Sequence, residues 1–220
     1  MISKIFHFIW INFKEKDVNQ EVPLKYQENI LKWQQLHKDW SILVWNDSES
    51  NQFLKKMEPE WYSFSFVKPI FKTDVLRLLL LKHFGGVYVD VDCSPGMVSI
   101  DTLLENQSLI VLSGLNNWFL ASEKNHPFLD HYLNRTKRRL RGIFHQGWNH
   151  FGVLFCTGPL ALRASVSDYD QPITKLHKTD LDAFQIRHGA DGSWSNPSFY
   201  IYDALVIGVI LLFLLFLFRY

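Results

Sequence analysis

Asp90 and Asp92 stand one residue apart behind the apolar run Val87, Tyr88, Val89. The stretch Val87–Val91 reads as a buried strand, and side chains two apart on a strand share a face, so both carboxylates are expected to point at one hard cation. Mg²⁺ or Mn²⁺ held by carboxylates commonly completes its shell with phosphate oxygens, and as a Lewis acid it stabilises charge developing on a diphosphate leaving group. The C-terminal end of such a strand is also where α/β sheets bind ligands. Taken alone, the pair is equally compatible with a solvated strand end.

Other groups join it. Asp74 and Arg77 lie three apart in an apolar helical stretch and share one face, either as an intrahelical ion pair or as ligand contacts. His188 begins a turn-forming segment, His188-Gly189-Ala190-Asp191-Gly192-Ser193-Trp194, of a kind that can fold over a ligand as a lid. Imidazole suits Mn²⁺, so His188 is either a ligand beside Asp90 and Asp92 or a structural histidine, the commoner role of a lone His. Gly158 and Pro159 open a helix whose positive end either faces a ligand or simply carries a cap.

These groups need a scaffold. The run from Ile2 to Ile11 lacks a small-residue cleavage site and reads as a first strand rather than a signal peptide. Pro23 opens a helical pattern through Tyr26, Ile30 and Trp33, and a second strand, Trp40 to Trp45, runs into a turn at Asn46, Asp47 and Ser48. Lys72 to Phe84 is apolar on nearly every face, as in a helix buried inside a fold, and Gly85 and Gly86 stop it. A further strand at Trp118–Ser122 and a helix opened by Pro127 follow. Strands alternating with helices make the class α/β, with a sheet covered on both faces.

The chain has 220 residues, enough for one domain and a short appendage. Net charge is +1, which excludes a protein built to cover nucleic-acid phosphates; the basic cluster Lys137, Arg138, Arg139, Arg141 reads as a solvated helix face or a contact with anionic lipid. Cys93 and Cys156 fit no zinc pattern and read as free buried thiols. Sequons at Asn46, Asn106 and Asn134 do not establish passage through a secretory lumen.

From Asp74 through Gly85 and Gly86 to Asp92 the sequence resembles the DXD region of GT32-like, Och1-like glycosyltransferases, and also the catalytic domain of the large clostridial glucosylating toxins. Lys4 to Trp10 look like the family's first strand, Asn116, His126 and Pro127 like its middle segment, and Thr157-Gly158-Pro159 and then His188, Ser193 and Trp194 match later motifs in order. The resemblance implies a GT-A-type fold over residues 1–198 and transfer of a hexose from a UDP- or GDP-sugar to a glycan, glycolipid or protein, with retention of configuration and dependence on Mn²⁺ or Mg²⁺. It implies that Trp10 stacks on the nucleotide base, while Asp74, Arg77, Tyr88, Asp90, Ser193 and Trp194 contact the rest of the donor. Asp74, Arg77, Asp90 and Asp92 become the catalytic set, and Asp90, Asp92 and His188 the metal set.

Two rival readings share the motif. Haloacid-dehalogenase-type phosphatases also place Asp-x-Asp after an apolar strand, but follow it with Thr or Val and a later acidic pair; here Cys93 and Ser94 follow. A non-catalytic, membrane-tethered nucleotide-sugar-binding protein would keep the fold and lose the metal site, yet both aspartates are present. Ala204 to Phe218 runs without a charge. As a helix it rises about 22 Å against a hydrocarbon core of about 30 Å, so a span recruits Phe199 to Tyr202. Residues 199–220 are therefore expected to be a single-pass C-terminal anchor, with the catalytic domain on the cytosolic side; a buried core helix is the alternative.

Overall fold

The computed structural model describes residues 1–11, 21–66, 68–114, 116–142 and 150–191. In chain order they form β1 (Ile5–Ile9), α1 (Leu24–Leu36), β2 (Ser41–Trp45), α2 (Asp47–Met57), α3 (Pro59–Tyr62), α4 (Pro69–Phe84), β3 (Gly86–Val89), β4 (Cys93–Ser94) and α5 (Asp101–Leu104). The order continues with β5 (Leu109–Leu112), β6 (Phe119–Ser122), α6 (Pro127–Arg141), α7 (His150–Cys156), α8 (Pro159–Ser167), β7 (Thr174–Leu176), α9 (Lys178–Ala183) and β8 (Arg187–His188).

The described strands make a six-stranded mixed sheet, β2-β1-β3-β6-β5-β7, and a two-stranded ribbon, β4-β8. β1 pairs in parallel with β2 and β3, whereas β6 runs antiparallel to both β3 and β5. The strand period of two sorts the core into two layers. Phe6 and Phe8 on β1 and Val87 and Val89 on β3 face Trp33 and Trp40; Ile9 and Tyr88 face α4 and α6. The α/β class and the doubly covered sheet follow as expected.

α4 is buried on every side, with Leu76, Leu78, Leu79, Leu80 and Leu81 all inaccessible or nearly so. Each such leucine contributes roughly 2 kcal/mol by leaving water, so a helix this central tolerates polar residues only with a purpose. α6 instead shows one apolar stripe, Phe128, Leu129, Tyr132, Leu133, Thr136 and Leu140, at helical spacing, and the His126 ring caps it by accepting from Phe128 N at 3.2 Å. The basic cluster on its other face is largely paired: Lys137 and Arg141 reach Glu60, and Arg139 donates to Ala161 O.

Two local expectations change. Asn46 does not close a turn but caps α2, its side chain accepting from Glu49 N while Glu49 accepts from Asn46 N, each at 3.0 Å. β3 begins at Gly86 and ends at Val89, two residues earlier at its C-terminal end than expected. Gly86 carries φ +100, and a Cβ there would meet Ile5 O at 2.5 Å, so only glycine lets β3 pass this close to β1. The expected C-terminal anchor, residues 199–220, lies outside the described residues, among which no helix is long and apolar enough to cross a membrane.

Candidate active site

Because β3 stops at Val89, the Asp-Val-Asp motif is a turn, not a strand end. Asp90 N donates to Trp118 O at 2.9 Å as the last rung toward β6, and Cys93 N closes the turn on Asp90 O at 3.0 Å. The two carboxylates therefore converge through turn geometry and the return of β8, not through the shared face of a strand. That corrects the reason for their pairing.

Asp90 continues the Tyr88 side of β3. The Tyr88 hydroxyl donates to Asp90 Oδ1 at 2.5 Å, and the Arg77 guanidinium lies 4.5 Å above the Tyr88 ring with Nη1 3.9 Å from the same oxygen. Oδ2 of Asp90 faces His188 Nε2 at 3.7 Å, and Asp92 Oδ1 lies 3.3 Å from that nitrogen. The metal set expected from sequence is thus gathered on one imidazole. Burial alone would raise the Asp90 pKa, but hydrogen bonding to His188, the Arg77 charge and the Tyr88 hydroxyl outweigh it and hold the carboxyl below its ordinary value. For His188 the sign reverses: burial lowers its pKa, yet the two carboxylates win and raise it. The His188 ring stands where a cation would neutralise them. Two carboxylates and an imidazole form a donor set that Mn²⁺ or Mg²⁺ accepts.

One turn of α4 carries the other charged groups. Asp74 and Arg77 are buried in the apolar helix and paired, Nη2 to Oδ1 at 2.5 Å. Other elements add partners: Thr157 Oγ1 donates to Asp74 Oδ2 at 2.5 Å, Asn117 Nδ2 to Oδ1 at 3.4 Å, and Arg77 Nη1 to Asn117 O at 2.7 Å, while Arg77 Nε is buried without a partner among the described residues. Burial raises the Asp74 pKa against the pull of Arg77 and Thr157. Tyr132 OH, donating to Thr157 O at 2.6 Å, fixes the α7–α8 junction that delivers the threonine.

Asp74, Arg77, Tyr88, Asp90, Asp92 and His188 line one cleft of about 280 Å³, together with Trp10, Tyr26, Trp118 and the Gly158–Pro159 start of α8. Trp10 follows the last residue of β1, 5.3 Å from the Tyr26 ring; it is 7% exposed, and its buried Nε1 has no hydrogen-bond partner among the described residues. It both belongs to the core and faces the cleft. Asn116 lines the cleft as well, whereas His126, another residue carrying the family resemblance, caps α6 and meets Ser108 Oγ at 3.5 Å, away from the cleft lining. Ser193 and Trp194, expected to contact the donor, lie outside the described residues.

Several groups had no role at the level of sequence. Trp118 stacks on His188 with centroids 5.2 Å apart at 15°, and Asn117 holds both Arg77 and Asp74. The segment after β8 folds back onto the motif: Gly189 N donates to Asp92 O at 3.0 Å and Asp191 N to Asp92 Oδ2 at 3.1 Å, while Asp191 accepts from Tyr26 OH at 3.0 Å and pairs with Lys25. A Cβ on Gly189 would stand 3.0 Å from Asp92 O, so a glycine is favoured at this crossing. The nearest sequence signal for these contacts is the Gly/Asp-rich composition after His188.

Residues 23–110 match the family described as the glycosyltransferase sugar-binding region containing the DXD motif. Over 210 residues the chain is 26% identical to mannosyl phosphorylinositol ceramide synthase CSH1 of Saccharomyces cerevisiae, covering 91% of this chain and 51% of that protein. Over 167 residues it is 28% identical to inositol phosphoceramide mannosyltransferase 3 of Schizosaccharomyces pombe, covering 73% and 44% respectively. The chain spans about half the length of the curated relatives it matches. Among solved structures the PaToxG glycosyltransferase superposes with a TM-score of 0.54 at 18% identity, over 75% of this chain and 69% of that one, a likeness of fold. Residues 23–110, which supply Asp74, Arg77, Asp90 and Asp92, thus resemble a glycosyltransferase sugar-binding region of the DXD type, in a chain whose fold is similar to that of a solved glycosyltransferase.

Proposed function

We propose that the protein transfers a hexose, with retention, from a nucleotide-diphosphate sugar to a lipid-linked acceptor, in a GT-A-type site dependent on Mn²⁺ or Mg²⁺. One observation carries the reading: a single cleft brings together the Trp10 indole, the buried Asp74–Arg77 pair and the ionised Asp90 beside Asp92 and His188. The names of the relatives point to mannose as the sugar and an inositol phosphoceramide headgroup as the acceptor. An acceptor of that kind belongs at a membrane surface, where the apolar 204–218 stretch would tether the domain.

In this scheme Trp10 offers an aromatic face to the base. Arg77, immobilised by Asp74 and Asn117, presents a fixed positive charge beside Asp90, where a diphosphate would lie. Asp90, anchored through Oδ1 to Tyr88, keeps Oδ2 directed to His188, and Asp92 and His188 would complete the donor set for the cation. The bound cation supplies Lewis-acid stabilisation of the departing diphosphate. No side chain is assigned as general base, because the leaving diphosphate can itself accept the proton of the acceptor hydroxyl.

The test is metal-dependent cleavage of a panel of UDP- and GDP-sugars, then transfer to phosphoinositol-ceramide vesicles. Turnover with GDP-mannose that disappears in Asp92→Asn, while the circular-dichroism spectrum is kept, is the expected result. No turnover with any donor, together with no metal-dependent nucleotide binding, sinks the proposal. Turnover with UDP-glucose alone would replace mannose while leaving the transferase in place.

A further inference from the structure

Behind the cleft wall a sulfur approaches the motif. Cys93 opens β4 and is the cross-strand partner of His188 on β8. Directly opposed residues of an antiparallel pair project to the same side, so thiol and imidazole face each other, and Asp92, one residue earlier, adds a carboxylate. Asp92 Oδ1 is 4.0 Å from Cys93 Sγ and 3.3 Å from His188 Nε2, and the three ligand atoms all lie within 4.8 Å of one another. A tetrahedral ion with bonds of about 2.0–2.3 Å holds its ligand atoms roughly 3.3–3.8 Å apart, so closing this set needs side-chain movements on the order of 1 Å. Among the described residues the cleft is lined by Asp90, Asp92 and His188 but not by Cys93, which is fully buried.

We infer that Asp92 Oδ1, Cys93 Sγ and His188 Nε2 form a site for a thiophilic divalent cation of the Zn²⁺ class, tying β4 to β8 at the rim of the cleft. An oxygen-seeking ion such as Mg²⁺ gains little from sulfur, whereas Zn²⁺ and Co²⁺ accept a set of one oxygen, one nitrogen and one thiolate, with water or Asp90 in the fourth place. Coordination requires the thiolate, so binding releases the Cys93 proton to solvent. The cation also replaces the contact between His188 and the carboxylates, and it pins the segment that carries Gly189 and Asp191 across Asp92. The set shares Asp92 and the His188 Nε2 with the Mn²⁺ or Mg²⁺ donor set proposed above, so the two cations exclude each other there, while the sulfur ligand is brought in by the ribbon itself.

Co²⁺ titration of the full chain, in a non-chelating reductant, tests it. The sequence holds two cysteines, so the sulfur can be identified by single substitutions. The expected result is a near-ultraviolet thiolate-to-cobalt charge-transfer band that saturates at a single equivalent and is displaced by Zn²⁺. It is lost in Cys93→Ser, retained in Cys156→Ser, and requires at least about tenfold more Co²⁺ in His188→Ala. Absence of the band, or its survival in Cys93→Ser, overturns the inference. Should Cys93→Ser fail to fold, the other two variants decide: a band lost in Cys156→Ser, or undiminished in His188→Ala, overturns it equally. A chain that shows the band but neither cleaves any nucleotide-sugar nor binds nucleotide with metal refutes the transferase reading and leaves this site standing; the reverse outcome separates them the other way.

Discussion

Replacing Arg77 by methionine probes the centre of the site. The side chains of Arg77 and Asp74 are 6% and 2% exposed and 2.5 Å apart. Methionine keeps much of the aliphatic stem and removes the guanidinium, leaving Asp74 with the Thr157 hydroxyl and the Asn117 amide as donors and no counter-charge. Breaking a buried pair from one side costs about 3–5 kcal/mol, several times the worth of an exposed pair such as Lys4–Asp39. At about 2–4 °C per kcal/mol for a chain of this size, the melting temperature should fall by about 10 °C. The pH dependence has a definite sign. Burial already raises the Asp74 pKa and Arg77 opposes it, so losing Arg77 raises it further. A carboxyl group with a folded pKa above its unfolded one favours folding when protonated, and that contribution is lost as pH rises through the folded value. Arg77→Met should therefore lie closer to the parent near about pH 5 than near about pH 8. Adding Asp74→Asn removes the stranded charge and should restore about 2 kcal/mol at the higher pH. Urea midpoints by circular dichroism, with unchanged m-values, measure all of this. A loss below about 1 kcal/mol, or a double variant less stable than Arg77→Met, would falsify the picture of a desolvated, mutually dependent pair.

Three further outcomes are expected. The buried His7 ring donates from Nε2 to Gly85 O at 2.9 Å and accepts at Nδ1 from the Trp45 indole at 3.2 Å, which fixes one neutral tautomer; burial, against the Gly85 hydrogen bond, depresses its pKa from 6.5 to about 4. The associated stability, about 3 kcal/mol, is complete above the unfolded value of about 6.5 and drains away as pH falls toward about 4; His7→Gln should flatten that part of the stability–pH curve, and an unchanged slope would assign it elsewhere. Gly86→Ala, at φ +100 and with a Cβ 2.5 Å from Ile5 O, should cost more than about 2 kcal/mol in thermal denaturation, and near-parental melting would contradict the close crossing of β1 and β3. Trp10→Ala should weaken UDP or GDP binding by about tenfold or more in calorimetry, the order expected for one base–aromatic stack, whereas unchanged affinity returns Trp10 to the core.

What the sequence determined by itself is whatever depends on short-range pattern. The all-round apolar stretch fixed α4 as a buried helix, Pro23 and Pro127 marked two helix starts, and the helical spacing of Asp74 and Arg77 placed them on one face. The alternation of strand and helix patterns made the class α/β, and the lack of any zinc pattern around the two cysteines left them as buried free thiols. The DXD resemblance then selected the cleft, because a binding site repeated across a family leaves its residues in a fixed order. Pattern could not tell a strand end from a turn at Asp90, since apolar Val91 fits either; the hydrogen bond from Cys93 N to Asp90 O decided it. Nor could it show that Asn46 begins a helix, because the same polar residues that favour turns also cap helices. Only the tertiary structure joined residues far apart in the chain: Thr157 to Asp74, Trp118 to His188, Asp191 to Tyr26 and Asp92, and His188 across the ribbon from Cys93. Those contacts carry no local periodicity, because each is set by how whole elements pack, and it is there that the charge, the ligands and the closure of the site are decided.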